Sequence, residues 1–275
     1  MKQNLLAISI IVLLTAGAKA QGTRFRIGAG YQRTWMVDAQ ASPLKYQSSE
    51  KTFLLNYLHE GKRGKLNAEL NGSFGNFFPT GFQNRVWYNP GYNPDGTPKK
   101  DSNYLIGQLY HAGLNIGYSK KIGNSSFLGK EATGKTYAGA SLNEQLFYSD
   151  NMVRMGWLNA ATVNADFSHS VSYQAKHFFL LKVSIPLFGV NSRLPYHNTI
   201  SSPTPEANTK TFFKNGSRLA WPVNFQNLQI SASYEYAISK KLALGIHYSG
   251  QWLHYTNEKP ITLFQNNIGV MASLK

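Results

Sequence analysis

The sequence contains no cysteine, which excludes a disulfide framework and a thiolate metal site. Acidic residues are scarce, with 13 Asp and Glu against 28 Lys and Arg. After the first 20 residues, no apolar run approaches the length of a transmembrane helix, which is about 20 residues. These absences exclude a small disulfide-stapled domain and a protein that crosses a membrane with helices.

The N-terminus has the three parts of a secretory signal peptide. A positive start is followed by an apolar run and then by the small-x-small cleavage site Ala18-Lys19-Ala20. The alternative is a retained N-terminal anchor, for which the apolar run is short. We therefore expect residues 1–20 to be a signal peptide and residues 21–275 to form one exported domain.

The mature chain is dominated by alternation of apolar and polar residues with a period of two. In KLNAELNGSF, residues 65–74, the apolar side chains alternate with Asn, Glu and Ser, a pattern that predicts a strand with one apolar and one polar face. The step from Phe225 to Leu228 breaks the alternation once and indicates a bulge or a later strand start. Ten such segments lie within residues 24–35, 53–57, 65–74, 104–118, 138–148, 162–171, 179–187, 225–236, 242–252 and 264–274.

The connections between these segments alternate in length. If the chain begins in the periplasm, three of the four periplasmic connections are short, and the fourth, at about residues 119–135, is longer. The outer connections include two long loops, at about residues 76–103 and 189–224. A soluble lipocalin-like barrel or a sandwich is the alternative, but it has no reason to sort its loops in this way.

Length, alternation and an aromatic content of 13% together predict an all-β fold. We expect a transmembrane antiparallel up-and-down β-barrel of about ten strands, with eight or twelve as alternatives. Long extracellular loops and mostly short periplasmic turns would connect the strands. Because only a closed barrel satisfies strand edges in hydrocarbon, the apolar faces should contact lipid and the polar faces should line the lumen.

The signal peptide, the Gln that would start the mature chain and the alternating strands resemble small outer-membrane β-barrel proteins of the Bacteroidota. The resemblance is one of pattern and implies the cell outer membrane of a Gram-negative bacterium as the location. Aromatic residues near the ends of the outward faces fit the interfacial girdles of such barrels. These residues are Tyr31, Trp35, Tyr57, Tyr104, Tyr118, Tyr148 and Trp252.

Charged residues also occur on the inward faces, in equal numbers of each sign. A ten-stranded barrel has little room once side chains fill it, so these charges should pair across a narrow lumen. This disfavours an open pore and leaves a narrow, porin-like channel as the alternative. The predicted polar network of the lumen comprises Arg24, Arg26, Glu69, Asp166, Lys182 and Glu235.

Three histidines could carry chemistry. In DFSHSVSY, His169 stands beside Ser170 as in a lipase dyad, but adjacent strand residues face opposite sides, which argues against the dyad. His111 and His247 both face inward, and no third ligand is spaced to join them in a metal site. We therefore expect no cofactor and no metal.

Omptin proteases resemble the chain in size and predicted topology, and their chemistry needs Asp and His at the extracellular rim. The outer loops do contain Asp and His, but no acidic pair with the required local pattern. We therefore expect no enzymatic activity. The Asp and His residues of these loops are Asp38, Asp95, Asp101, Asp150, His197 and His254.

The first long outer loop is rich in aromatic residues and arginine, which are enriched in binding hot spots. It predicts a surface that binds an extracellular ligand or an envelope partner protein; the alternative is that its rings cap the lumen or join the girdle. The candidate residues are Phe77, Phe78, Phe82, Arg85, Trp87, Tyr88 and Tyr92. The second loop adds Tyr196, Phe212, Phe213 and Trp221.

The net charge of +15 lies mainly in the connections. Because an exported barrel rarely meets nucleic acid, outer-membrane lipid and lipopolysaccharide are the expected partners of this basic charge. The sequence as a whole predicts a non-enzymatic surface-binding or envelope-structural protein. A narrow channel is the alternative, and an outer-membrane hydrolase is less favoured.

Overall fold

A computed structural model describes the conformation of most of the predicted mature domain. The described residues are 22–40, 42–83, 86–88, 91–98, 102–104, 106–127, 132–149, 156–193, 209–257 and 259–275. The predicted signal peptide, residues 1–20, lies outside this part of the chain, so it stays a prediction.

The described residues are mostly β-strand. In chain order the strands are β1 (Thr23–Asp38), β2 (Ser42–Glu60), β3 (Gly64–Pro79), β4 (Val86–Tyr88), β5 (Ser102–Tyr104), β6 (Gly107–Phe127), β7 (Ala132–Ser149), β8 (Gly156–Tyr173), β9 (His177–Ser192), β10 (Ser217–Ala220), β11 (Phe225–Ala237), β12 (Leu242–Tyr255) and β13 (Ile261–Leu274). One helix, α1 (Thr209–Gly216), precedes β10. No helix in the described ranges is long and apolar enough to cross a membrane.

Ten of these strands close into a barrel through antiparallel pairings. The order around the wall is β1, β2, β3, β6, β7, β8, β9, β11, β12 and β13, and β13 pairs back with β1. Closure gives every wall strand a paired neighbour on each side, as a strand structure in hydrocarbon requires. The predicted ten-stranded barrel is confirmed, and the alternatives of eight and twelve strands are wrong.

The side chains alternate across the wall as the sequence predicts. On β3, Leu66, Leu70 and Phe74 are exposed, whereas Ser73 is buried. Large apolar side chains are exposed on other strands as well, with Ile268 of β13 at 63%. An exterior dominated by large apolar side chains faces lipid, because a soluble protein rarely exposes large apolar patches.

Aromatic residues lie near the ends of this apolar exterior. At the extracellular end the rings of Trp35 and Phe264 are 5.8 Å apart, and Tyr148 lies 4.5 Å from Trp157. At the periplasmic end Tyr118 is exposed. Among the predicted girdle residues Tyr104 is an exception, because its backbone lies in β5, which pairs with β4 outside the barrel wall.

Three predicted connections are shorter than expected, one periplasmic and two extracellular. The predicted periplasmic connection at residues 119–135 is wrong, because β6 and β7 continue through most of it and leave only residues 128–131 between them. Residues 123–127 of β6 pair with residues 132–136 of β7. The ladder between the two strands is irregular only at a register shift between Lys121 and Gly123. On the extracellular side β3 extends to Pro79, and β9 extends to Ser192.

The break in alternation at Phe225 also has a different cause from the predicted one. β11 begins at Phe225 and pairs with β12 without a register shift, so the residue is neither at a bulge nor outside the strand. Its side chain is 1% exposed and faces the lumen, whereas Leu228 faces outward. Phe225 is apolar and inward because the lumen itself becomes apolar at this level.

The extracellular end of the lumen is filled by apolar side chains rather than by the polar network expected throughout. We call this layer the apolar plug. Inward positions of nearly every wall strand contribute to it, so it closes the lumen at that end. The plug consists of Met36, Tyr46, Phe77, Leu109, Phe147, Leu158, Ala160, Ala220, Phe225, Leu253, Tyr255, Ile261 and Leu263.

Candidate functional site

Below the apolar plug, the lumen contains a polar cavity of about 160 Å³. Asn and Gln are the most frequent residues in its lining, together with Glu69, Lys182, His111 and His247. These side chains come from inward positions of many strands, which the alternating pattern places on one face of each strand. The lining also includes apolar side chains such as Phe53 and Ile230, and the cavity lies below the plug.

An ionic network lies at the periplasmic end of the cavity. The carboxylate of Glu235, which is 1% exposed, accepts a hydrogen bond from Arg26 Nη2. Arg24 Nη1 lies 3.8 Å from Glu235 Oε1, and its guanidinium stacks over the Phe178 ring at 3.8 Å. Two cations therefore share one buried carboxylate and narrow the lumen at this end.

The other predicted network residues divide into one ion pair and one amide-bound acid. Lys182 Nζ lies 2.9 Å from Asp166 Oδ2, and Ser184 donates a hydrogen bond of 2.7 Å to the same carboxylate. Glu69 accepts hydrogen bonds of 3.3 Å from the amides of Asn56 and Asn71. The structure thus brings Arg24, Arg26 and Glu235 together, and places Lys182 with Asp166.

The sequence analysis missed one buried acid, Glu50, and assigned another, Asp38, to an outer loop rather than to the end of a wall strand. Glu50 is fully buried on β2, where Thr34, Ser73 and Gln32 donate hydrogen bonds to its carboxylate, the last at 2.9 Å. Asp38 ends β1 and pairs with Arg193. Extending the period-two pattern of β2 toward its N-terminal end would have placed Glu50 inward.

The histidines have ordinary packing partners. His111 stacks on Phe147 at 4.5 Å, and the Nε2 atom of His247 lies 3.3 Å from the Asn267 amide nitrogen. His169 Nδ1 is 2.9 Å from the Thr136 hydroxyl. Across the described ranges, no group of three or more His, Asp or Glu side chains could hold a metal ion.

The candidate binding residues of the first outer loop are not all at the surface. Phe77 is 1% exposed and stacks on Tyr46 at 5.0 Å as part of the plug, so its prediction as a surface binding residue is wrong. Phe78 and Phe82 are half-buried, and Tyr92 is 75% exposed. Arg85 and the side chains of Trp87 and Tyr88 lie outside the described residues.

The described residues of this loop beyond Gln83 form short antiparallel pairings outside the barrel wall, which we call the β4–β5 hairpin. Val86 pairs with Tyr104 in the β4–β5 ladder, and an isolated bridge joins Tyr92 to Pro98. The tip is closed by a hydrogen bond of 2.7 Å from the Asn93 amide to the Thr97 carbonyl. The sequence did not predict this order, because β4 and β5 are only three residues long.

A carboxylate organises the tip of the hairpin. Asp95 Oδ1 accepts hydrogen bonds from the backbone nitrogen of Thr97 at 2.9 Å and from its hydroxyl at 2.6 Å. These two bonds favour the ionised carboxylate and lower the pKa of Asp95. Asp95, an omptin-like candidate in the sequence, therefore has a structural role at the turn.

In the described part of the second outer loop, α1 packs against the rim of the barrel. Phe212 of α1 is buried and lies 6.1 Å from the Trp157 ring, whereas Phe213 is exposed. Trp221 follows β10 and is 52% exposed. Tyr196 lies outside the described residues, so the predicted joint aromatic surface of the two loops stays a prediction.

The closed barrel and its apolar exterior define the class of protein. Strands with an apolar outer face, aromatic ends and a polar interior are the architecture of transmembrane barrels of the outer membrane. The chain is therefore an outer-membrane β-barrel protein, and its location is the cell outer membrane.

No family model and no curated protein matches the chain. Among solved structures it is similar to the outer membrane protease OmpT from Escherichia coli, with 8% identity, a TM-score of 0.47 and coverage of 93% of this chain and 97% of that one. It is also similar to the translocator domain of the autotransporter NalP from Neisseria meningitidis, with 10% identity, a TM-score of 0.38 and coverage of 99% and 96%. A third similar structure is the toluene transporter TodX from Pseudomonas putida, with 10% identity, a TM-score of 0.30 and coverage of 94% of this chain and 90% of that one. At these scores the likenesses carry no weight, and the fold rests on the barrel itself.

Proposed function

We propose that the protein is a non-enzymatic outer-membrane barrel that binds a ligand or an envelope partner protein at the cell surface through its β4–β5 hairpin. The observation that carries the proposal is the exposed Tyr92 ring, 75% accessible on a hydrogen-bonded hairpin tip. A rigid aromatic side chain loses little conformational entropy on binding, so it is a suitable anchor for a partner.

The closed lumen favours surface binding over open transport. The apolar plug fills the extracellular end, and the ionic network around Glu235 narrows the periplasmic end. A solute crossing the barrel would have to displace both layers. The resemblance to small outer-membrane barrels of the Bacteroidota fits a role of this kind, since such a barrel serves as an anchor for its loops.

The packing of the histidines supports a non-enzymatic role. His169 hydrogen-bonds to Thr136 on the lipid-facing side, whereas Ser170 is buried on the other face of the strand. At the rim, Asp38 is engaged in an ion pair and Asp95 in a turn. A nucleophile or an activated water needs a base within hydrogen-bond reach, and these groups have other partners.

Exposed cations at the periplasmic rim suit contact with anionic lipid headgroups, which attract lysine near a membrane surface. These cations lie in the short turns and at the adjoining strand end rather than in the wall. We therefore include anionic lipid of the periplasmic leaflet among the partners, whereas lipopolysaccharide, which occupies the outer leaflet, stays a prediction from the basic outer loops. The exposed cations are Lys62, Arg63, Lys120, Lys176, Lys240 and Lys241.

Site-specific photo-crosslinking at the cell surface tests the proposal. A benzophenone amino acid replaces Tyr92, and the same replacement of the lipid-facing Tyr110 serves as the control. We expect a discrete adduct with a protein or glycan from position 92 but not from position 110. An adduct pattern shared by both positions, or none from position 92, contradicts surface binding through the hairpin.

Removal of the hairpin separates binding from a structural role. The variant joins Gln83 to Ile106 with a short Gly-Ser linker, so Phe77 and the plug stay intact. We expect a folded, membrane-inserted barrel that no longer competes for the crosslinked partner. Failure to insert, or free conduction of ions, would make the hairpin a structural plug.

A narrow channel is the second candidate function, and the polar cavity is the observation that favours it. In a channel, the cavity would hold the solute partway through the lumen, and the pathway would open when the apolar plug moves. Single-channel recording in planar bilayers distinguishes the two functions. Repeated discrete openings by the unmodified protein would support the channel, and a silent bilayer containing folded protein would support the surface-binding role.

A further inference from the structure

The barrel wall is interrupted between β9 and β11. Their ladder begins near the periplasm at His177 and Tyr236 and ends at Ser184 and Gln229. Toward the extracellular side β9 pairs next with β10, at Gly189 and Ala220. Residues 185–188 of β9 therefore lie opposite residues 221–228, a longer stretch whose strand portion pairs with β12. We call this interruption the seam.

The seam is maintained by an ordered turn at residues 221–224. Asn224 Oδ1 accepts a hydrogen bond of 2.8 Å from the Trp221 amide, and the Phe225 amide donates one of 2.7 Å to the Trp221 carbonyl. The Gln226 side chain donates to the Pro222 carbonyl at 2.8 Å. These bonds hold β10 and β11 apart, so the turn is a built feature of the wall.

β9 is also irregular at the seam. Its pairing with β8 shifts register next to Asn164, which lies opposite Pro186, and Leu187 and Phe188 are then both exposed. Because proline has no amide hydrogen, Pro186 cannot donate a ladder hydrogen bond on either side. The two strand segments therefore separate where one of them is poorly suited to pairing.

The outer surface of the seam is apolar and lies at the outer membrane interface. Leu228 pairs with Trp252, which belongs to the same row of aromatic residues as Phe264. The rings of Phe188 and Trp221 are 6.0 Å apart. We call the exposed apolar side chains here the seam rim: Leu187, Phe188, Leu219, Trp221 and Val223, with exposures of 48%, 46%, 64%, 52% and 89%.

At its periplasmic end, the seam adjoins the polar cavity of the lumen. Ser184 and Gln229, the last ladder pair, both line the cavity. The side-chain Nδ2 of Asn164 donates a hydrogen bond of 3.1 Å to the Ser184 hydroxyl. The side-chain Oδ1 of Asn164 is buried without a hydrogen-bond partner in the described part of the chain. Strand edges and amides that are unpaired at membrane depth require other polar partners.

We propose that the seam is a lateral binding site for a single-chain amphiphile of the outer leaflet. Its hydrocarbon chain lies on the seam rim, and its uncharged, hydroxyl-bearing head enters the polar cavity. The amide-rich lining suits hydroxyl groups, which both donate and accept hydrogen bonds. The cavity cations already have carboxylate partners, Glu235 for Arg26 and Asp166 for Lys182, so an anionic head gains no free cation from them.

Photo-labelling of the full-length protein in phosphatidylcholine vesicles tests the site. One probe is an alkyl glucoside with a diazirine on the glucose, and the other is an alkyl carboxylate of the same chain length with the diazirine next to the carboxylate. We expect the glucoside to label buried cavity residues such as Asn143 and Gln251 and the carboxylate to label outward residues only. Cavity labelling by both probes alike, or by neither, overturns the proposal.

A disulfide across the seam identifies the route of entry, since the chain has no other cysteine. Ile185→Cys with Leu228→Cys continues the ladder by one pair beyond Ser184 and Gln229, and Tyr31→Cys with Ile268→Cys staples a continuous part of the wall. Oxidation of the seam pair should abolish cavity labelling by the glucoside, and reduction should restore it. Labelling that persists in the stapled seam shows entry through a barrel end and contradicts the lateral site.

A second variant is independent of disulfide formation. Phe188→Lys places a charge on the seam rim, and Phe264→Lys places one at the aromatic level of the continuous wall. The first substitution should reduce glucoside labelling of the cavity, and the second should leave it unchanged. Equal effects of the two variants would mean that the rim has no specific role.

Discussion

Arg193 and Asp38 form a buried ion pair that crosses the extracellular mouth of the barrel. Asp38 ends β1 and Arg193 follows β9, two strands that are not neighbours in the wall. Their side chains are 4% and 6% exposed, and Arg193 Nη1 also donates a hydrogen bond of 2.6 Å to the Lys259 carbonyl. The pair therefore fastens two sides of the mouth above the apolar plug.

Breaking this pair should destabilise the barrel strongly. Arg193→Met or Asp38→Asn should each lower the free energy of unfolding by about 3–5 kcal/mol, because each leaves an uncompensated buried group. Arg218→Met, at an exposed position, should change it by less than about 1 kcal/mol. Urea titrations of detergent-refolded protein, followed by its altered gel mobility before boiling, measure the difference. Equal costs at positions 193 and 218 would show that the pair has no structural role.

Glu235 in the ionic network below the cavity and Glu69 in the cavity lining form a matched pair of acids for mutation. Glu235→Gln leaves Arg24 and Arg26 without their shared carboxylate and should cost about 3–5 kcal/mol. Glu69→Gln should cost less than about 1.5 kcal/mol, because Glu69 is held by two neutral amide donors, one of which a glutamine carbonyl still accepts, and no cation loses its partner. The same urea titrations apply. A larger loss for Glu69→Gln would contradict the assignment of charges in the lumen.

Substitutions at two adjacent residues of β3 test which of its side chains face lipid and which face the lumen. Leu70→Arg places a charge on the lipid face and should cost about 2–4 kcal/mol near the bilayer midplane. Asn71→Arg should be tolerated better, because the new guanidinium points into the cavity beside Glu69. Insertion yield into lipid vesicles and urea stability both report the effect. The reverse order would mean that the two faces of β3 are exchanged.

The apolar plug should be the barrier to conduction. Phe77→Ala and Phe147→Ala each remove a buried ring from it and should each cost about 3–5 kcal/mol. The double variant should show ion conductance in planar bilayers, and the unmodified protein should show none. Gel mobility before and after boiling confirms that the tested protein is folded. A folded double variant that stays silent places the barrier elsewhere in the lumen.

Local periodicity in the sequence was enough to predict the strands and their facing. Alternation of period two fixes which side each residue of a regular strand takes, so Leu70 outward and Asn71 inward followed without a structure. It could not predict β4 and β5, each only three residues long, nor assign Phe225 correctly. An apolar residue on a barrel strand reads as lipid-facing, and only the packed plug shows that an apolar residue can also face inward.

The partners across the lumen were decided by the tertiary structure. Arg26 and Glu235 are 209 residues apart, and Asp38 and Arg193 are 155 apart. The sequence placed Arg26 and Glu235 on the inward side, but pairing across a barrel depends on the stagger and tilt of all ten strands together. The seam has the same origin, because it depends on the registers of β9, β10 and β11 with one another. Periodicity is a property of each strand alone, whereas register and closure belong to the assembled wall.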